Sequence, residues 1–392
     1  MKRTTRRDIS RRAFLAGAGA GALLLGLPGC GASGNGAEAQ GGGGGSQASQ
    51  RALAELEGRV LSTGPYGEEP TMAEQIQLGG EELEEVRAMG ATAGIIMHYG
   101  GNDWATGQID GLRHQFEEMG IEIIGVTDAT FDPQKQVSDI ETTLIEDPDI
   151  LVSIPTDPVA TADAYGKAVS QGVKLVFMDN VPLEFEHGED YVSVVSADNY
   201  GNGVASAHLM GGQLGGSGRI GLVYHAADFF VTNQRYEGFK KTLREEYGGI
   251  EIAEERGVIG PDFAGEAMLA GSAMLTKHAD LDGIWPVWDV PTEGVLAAAR
   301  TAGRTDLAIT TVDLGEPVAI SIASGGMVKG LGSQRPFDQG VTEAKLAGYG
   351  LLGKEAPPYV ALPSLPVSRT NVLDAWRTVY HERAPRKIRE VA

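Results

Sequence analysis

Ile150-Leu151-Val152-Ser153-Ile154-Pro155-Thr156-Asp157-Pro158 holds the plan of the whole chain. An uninterrupted apolar run marks a strand buried on both faces, and the Asp-Pro pair that follows supplies an N-cap and a first helical residue. The unit recurs on either side. Upstream, Ala93-Gly94-Ile95-Ile96-Met97 is apolar throughout and leads into a helical stretch over 105–119. Ile121-Glu122-Ile123-Ile124-Gly125-Val126 is the next strand, and Asp132-Pro133 opens a helix in which Val137, Ile140 and Leu144 recur at helical spacing. Downstream, Lys174-Leu175-Val176-Phe177-Met178 is the fourth strand. A second series places strands near 219–224, 251–258, 283–287 and 307–312, with helical segments between them. Two runs of alternating strand and helix mean an α/β chain with two parallel sheets covered by helices.

The N-terminus is of another kind. Ser10-Arg11-Arg12-Ala13-Phe14-Leu15-Ala16 is a twin-arginine export motif, and the short Ala/Gly/Leu run after it ends at Leu27-Pro28-Gly29-Cys30, which is similar to a lipobox. Residues 1–29 therefore read as a lipoprotein signal peptide, and Cys30, the single cysteine of the chain, as the lipidation site. The apolar stretch is short of the ~20 residues a spanning helix needs. Residues 30–50, with five consecutive glycines at 41–45, read as a flexible tether. Residues 51–90 are polar and Glu-rich, an N-terminal extension expected to pack on the first lobe.

Removing residues 1–29 takes away six of 32 basic groups and one of 53 acidic ones, leaving 26 against 52 and a net charge of −26. A surface so acidic excludes nucleic acid as a partner, because that binding rests on neutralising phosphates. With no cysteine left for a disulfide, the mature body depends on its apolar core.

In open parallel sheets, ligands bind outside the carboxyl ends of the strands. The residues found there are Tyr99-Gly100-Gly101-Asn102-Asp103-Trp104, Pro155-Thr156-Asp157, Asp179-Asn180, Trp288-Asp289 and Asp313. Carboxylates, amides and indoles suit a polyol, which needs bidentate acceptors, groups that both donate and accept, and flat apolar faces. Asp157 reads as a helix cap. Asp179 and Asp313 follow apolar strands with no evident helix to cap and read as ligand contacts. His98 has no second His or Cys at ligand spacing, so no metal site is expected, nor any cofactor. Gly215-Gly216-Ser217-Gly218 precedes a strand rather than a helix and reads as a loop.

Ile154-Pro155-Thr156-Asp157, Val176-Phe177-Met178-Asp179, Ser196-Ala197-Asp198-Asn199, Arg235-Tyr236-Glu237-Gly238-Phe239, Thr311-Val312-Asp313 and Ser333-Gln334-Arg335-Pro336 carry, by order and spacing, a resemblance over 91–370. The chain resembles a type I periplasmic solute-binding protein of the ribose-binding family, the extracytoplasmic component of ABC sugar importers. The resemblance implies two Rossmann-like lobes joined by a three-segment hinge, with 91–197 plus 335–363 forming lobe 1 and 198–334 plus 364–392 forming lobe 2. Its ligand contacts fall on Asn102, Trp104, Asp179, Asn180, Asn233, Phe263, Trp288, Asp313 and Gln334. The family's ribose binders carry arginine where this chain has Asn180 and Asn233, so the resemblance points to a neutral sugar or sugar alcohol other than ribose. Trp288, in place of a common amide, implies a differently shaped ligand.

The resemblance further implies a monomer that closes on its ligand by a hinge and delivers it to ABC permease subunits, with a chemoreceptor as an alternative partner. The rival from another class is a carbohydrate-active enzyme using Asp179 and Asp313 as acid and base.

Overall fold

The computed structural model describes residues 43–392; the export motif, Cys30 and the start of the glycine-rich run lie outside the described residues. In chain order the N-terminal segment holds α1 (Gly43–Glu55), β1 (Thr71–Met72) and α2 (Gly80–Met89). Lobe 1 continues with β2 (Thr92–Met97), α3 (Asp103–Met119), β3 (Glu122–Asp128), α4 (Pro133–Ile145), β4 (Ile150–Ser153), α5 (Ala162–Ser170), β5 (Lys174–Met178) and β6 (Ser193–Ala197). Lobe 2 then runs α6 (Asn199–Gln213), β7 (Ser217–His225), α7 (Phe230–Glu246), β8 (Gly249–Val258), α8 (Phe263–Lys277), β9 (Gly283–Pro286), α9 (Asp289–Thr301), β10 (Ala308–Val312), α10 (Glu316–Ala323) and β11 (Val328–Ser333). The chain returns to lobe 1 through α11 (Pro336–Leu352) and β12 (Tyr359–Leu362), and ends in lobe 2 with β13 (Leu365–Ser368), α12 (Val372–Tyr380) and α13 (Arg386–Arg389).

The lobe 1 sheet has the order β1-β12-β6-β5-β4-β2-β3 and is parallel throughout. The lobe 2 sheet has the order β13-β11-β10-β9-β7-β8, with only β13 antiparallel. The chain passes between lobes three times, at 197–199, 333–336 and 362–365. Period-two alternation divides the lobe 1 core: Ile95, Val152 and Val176 pack on one face of the sheet, and Ile96, Leu151 and Leu175 on the other. That is why these strands read as continuous apolar runs. Trp285 and Trp376 belong to the lobe 2 core, with Trp285 stacked on Phe239 at 4.5 Å. No helix among the described residues is long and apolar enough to cross a membrane.

Three expectations need correction. The tether expected to run to residue 50 gives way to helix from Gly43, because α1 lies on α6. There Leu53 and Leu56 meet Val204 and Ala205, and the buried Ser49 hydroxyl donates to the His208 carbonyl. The extension does not stay on lobe 1. Leu61 N–H, Ser62 N–H and the Ser62 hydroxyl donate to the Asp198 carboxylate at the first crossing, each at 2.9 Å. Gln234 of lobe 2 donates to the Thr63 carbonyl at 2.9 Å, and the Tyr66 hydroxyl donates to the Pro182 carbonyl of lobe 1 at 3.1 Å. From Thr71 onward the segment joins lobe 1 through β1 and α2. Asp132 caps α4, accepting from Gln134 and Lys135, but Asp157 holds a turn ahead of α5 rather than the helix itself, accepting from Val159 and Ala160.

Two glycines set up the site. A Cβ on Gly203 would collide with the Arg235 carbonyl, and one on Gly238 with the Tyr200 carbonyl, so their absence lets α6 and α7 touch. That contact brings Arg235 against the start of α6.

Candidate functional site

The carboxyl ends of both sheets converge on one cavity. Lobe 1 contributes His98, Tyr99, Asn102 and Trp104 after β2, Phe131 after β3 and Asp179 after β5. Lobe 2 contributes His225, Phe229, Val231, Thr232 and Arg235 from β7 to α7, Trp288 and Asp289 after β9, Asp313 after β10 and Gln334 after β11. The lobes are apposed. His98 stacks on Phe229 at 5.7 Å and 11°, Phe131 meets Phe263 edge-on at 5.3 Å, and the Asp103 carboxylate accepts from the Glu316 N–H at 2.7 Å. The space between the lobes, about 500 Å³ in all, remains partly open to solvent.

A line of hydrogen bonds runs from one aspartate to the other. The Ser196 hydroxyl donates to Asp179 Oδ1 at 2.6 Å, and Asn199 Nδ2 donates to the Ser196 hydroxyl at 3.1 Å. Arg235 Nε donates to Asn199 Oδ1 at 2.8 Å, and Arg235 Nη1 donates to Asp313 Oδ2 at 3.0 Å. Gln334 Nε2 donates to the other Asp313 oxygen at 2.9 Å. Both aspartates take left-handed backbone, φ 57° for Asp179 and 69° for Asp313. Burial raises Asp179 to about 6, helped by the charge of Asp313 and opposed by the Ser196 hydrogen bond and Arg235. Burial, with Asp313, Asp103 and Glu293 nearby, pushes Asp289 well above the ordinary carboxylate range. His98 falls to about 3 and His225 to about 4, both mainly through burial. His98 Nδ1, Trp104 Nε1, His225 Nε2 and Gln334 Oε1 are buried with no partner among the described residues, the condition of groups that a polar ligand would satisfy.

Of the nine expected contacts, Asn102, Trp104, Asp179, Trp288, Asp313 and Gln334 line the cavity. Phe263 stands behind it, edge-on to Trp288 at 4.8 Å. Asn180 and Asn233 do not reach it. Asn180 donates to the Pro155 carbonyl at 3.3 Å, and the exposed Asn233 donates to Asp228 at 3.0 Å. Both face a separate outer pocket walled by Pro65 and Tyr66 of the N-terminal segment. The second-lobe helix was expected to carry Asn233 in place of the family's arginine, but Arg235, two residues further on, brings a guanidinium into the cavity. Sequence reasoning also missed His225, Phe131 and Phe229 as cleft residues, and it placed Asp289 at a strand exit without counting it as a ligand contact. Asp289 and His98 stood in plain view at strand exits; Arg235 and the Phe229 segment are set by helix packing, for which the chain carries no local signal.

A family model described as "Periplasmic binding protein domain" matches residues 93–355, about two thirds of the chain. The chain belongs to this family. The ribose import binding protein of Escherichia coli K12 is 22% identical over 250 residues, covering 63% of this chain and 80% of that protein. Among solved structures, an ABC sugar transporter subunit from Rhodobacter sphaeroides superposes with a TM-score of 0.63 at 26% identity, covering 72% of this chain and 99% of that one. An ABC transporter solute-binding protein from Agrobacterium vitis, bound with alpha-D-tagatopyranose, has a TM-score of 0.67 at 20% identity, covering 74% and 100%. These matches describe the two-lobed type I fold. The family match begins at residue 93, so the segment that bridges both lobes at Asp198 precedes it.

Proposed function

We propose that this protein is an extracytoplasmic solute-binding protein that captures a sugar or sugar alcohol between its lobes and delivers it to an ABC importer. The observation that carries this reading is the pair Asp179 and Asp313, one from each lobe, lining one aromatic-walled cavity. A ligand touching both favours the closed arrangement by its greater affinity for it. The apposed lobes suit a monosaccharide or short polyol that touches both at once. Its role is capture rather than catalysis. Both oxygens of Asp313 are held by Arg235 and Gln334, which fixes an acceptor for hydroxyls instead of freeing a proton carrier. Export by the twin-arginine route and lipid attachment at Cys30 complete the reading, with ABC permease subunits as the partner and a chemoreceptor as the alternative. The ligand contacts are Asn102, Trp104, Asp179, Trp288, Asp313 and Gln334, joined by Arg235.

A thermal-shift screen over sugars and polyols tests it, since a ligand at 1,000 times its dissociation constant adds about 4.1 kcal/mol. Asp313→Ala should abolish the shift given by a hit. A hit whose shift survives both Asp313→Ala and Asp179→Ala would place binding elsewhere, and steady turnover of the bound sugar would favour the enzyme.

A further inference from the structure

Charge balance narrows the ligand further than hydroxyl chemistry does. Three aspartates line the cavity, Asp179, Asp289 and Asp313, against one basic side chain, Arg235, which is already paired with Asp313 at 3.0 Å. Asn180 and Asn233 turn to the outer pocket and bring no charge. The two buried histidines of the cleft are neutral at pH 7.

Asp289 is the odd member of the set. Its carboxyl is buried and accepts one hydrogen bond among the described residues, from the adjacent Val290 N–H at 2.9 Å. Gly315 leaves room for it, because a Cβ there would strike an Asp289 oxygen. Its charged neighbours are Asp313, Asp103 and Glu293, all acidic. Across the cleft, burial raises the Tyr99 phenol above its ordinary range, and the charge of Asp289 adds to it. Buried without a counter-charge, the Asp289 carboxyl is held in its neutral form, and a cation placed against it would favour the carboxylate. The adjoining wall is Trp288, an indole whose ring faces carry partial negative charge.

We propose that the ligand carries a protonated amino group seated against Asp289, as an amino sugar or amino polyol does; this rests on reading the cleft as a polyol site. An ammonium offers three donors to an acceptor-rich corner, supplies the counter-charge with which Asp289 ionises, and sits beside the Trp288 indole. A carboxylate or phosphate on the ligand would deepen the imbalance.

Calorimetry on the full chain at pH 7 tests this with matched sets: glucosamine, glucose and N-acetylglucosamine, the galacto and manno series, and 1-amino-1-deoxysorbitol with sorbitol. The expected result is that one amine binds at least tenfold more tightly than both its hydroxyl parent and its N-acetyl form. Asp289→Asn should erase that preference, with the unliganded melting temperature reporting whether the variant folds. In the unaltered protein, raising the pH above the amine's own pKa should erase it too, which keeps the test open if the variant does not fold. A neutral parent that binds as tightly as its amine overturns the proposal while leaving the polyol reading standing. An amine preference unchanged in folded Asp289→Asn overturns the seat at Asp289. Binding by no member of any set overturns both readings.

Discussion

Asp179 and Asp313 occupy equivalent places in the two lobes and are built differently. Each follows a central parallel strand, each is buried, and each takes left-handed backbone, a conformation that costs a non-glycine residue on the order of 1–3 kcal/mol. Their partners differ. Asp313 receives a guanidinium and an amide, one on each oxygen, whereas Asp179 receives the Ser196 hydroxyl on Oδ1. Lobe 2 thus holds a fixed, compensated anion, and lobe 1 holds a carboxyl raised to about 6. The same backbone device carries two electrostatic settings, and the partners on neighbouring elements decide which.

The largest effect should come from taking away the lobe 2 cation. Arg235→Met leaves Asp313 buried without its counter-charge, and should destabilise the fold by about 3–5 kcal/mol in denaturant titration. Adding Asp313→Asn should return much of that loss, because the cost lies in the stranded charge. If the double variant is no better than Arg235→Met alone, the compensated-anion account of lobe 2 fails.

Next comes the pH response of lobe 1. Below about pH 4 Asp179 is protonated in both folded and unfolded chains and contributes nothing. As the pH rises the unfolded chain ionises first, so the fold loses stability up to about pH 6, by roughly 2–3 kcal/mol in all. Asp179→Asn should remove this component, making the variant gain on the parent between pH 4 and pH 7. Denaturation midpoints across that range check it, and a difference that does not grow with pH would break the contrast with lobe 2.

A smaller effect belongs to the segment that bridges the lobes. The Ser62 hydroxyl donates to Asp198 and accepts from the Tyr200 N–H, each at 2.9 Å. Ser62→Ala should cost about 1–3 kcal/mol, since it leaves a buried carboxylate and a backbone N–H short of a partner. Thermal unfolding measures it; an unchanged midpoint would mean that the segment merely rests on the hinge.

Smallest in energy is an optical test. Trp104 of lobe 1 and Trp288 of lobe 2 line the cavity, while Trp285 and Trp376 sit in the lobe 2 core. Trp104→Phe and Trp288→Phe should each remove part of a ligand-induced fluorescence change, and Trp376→Phe should leave it intact. A response confined to one of the two cleft indoles would show that one lobe alone senses the ligand.

Much of the site was legible because strand exits follow from strand recognition, and apolar strands buried on both faces are hard to miss. Residue-level facing was not legible at the same points. Asp179 turns into the cleft and Asn180 out of it, a choice made by one left-handed residue that no periodicity announces. Arg235 could not be placed either. It reaches Asn199 and Asp313 because Gly203 and Gly238 let two helices touch, and helix contact is a property of pairs distant in sequence.

By itself the amino-acid order determined the two parallel sheets, the strand ends that build the cleft and the acidic character of the molecule, since burial periodicity, capping pairs and charge are local or additive. Tertiary structure alone decided the rest. It drew a glycine-rich run into helix against α6 and tied the N-terminal segment to Asp198. It also gave one cleft aspartate a guanidinium and the other a hydroxyl. Each of these outcomes depends on which distant groups a closed fold brings within hydrogen-bonding reach, and in a low-dielectric interior that proximity sets both charge state and orientation.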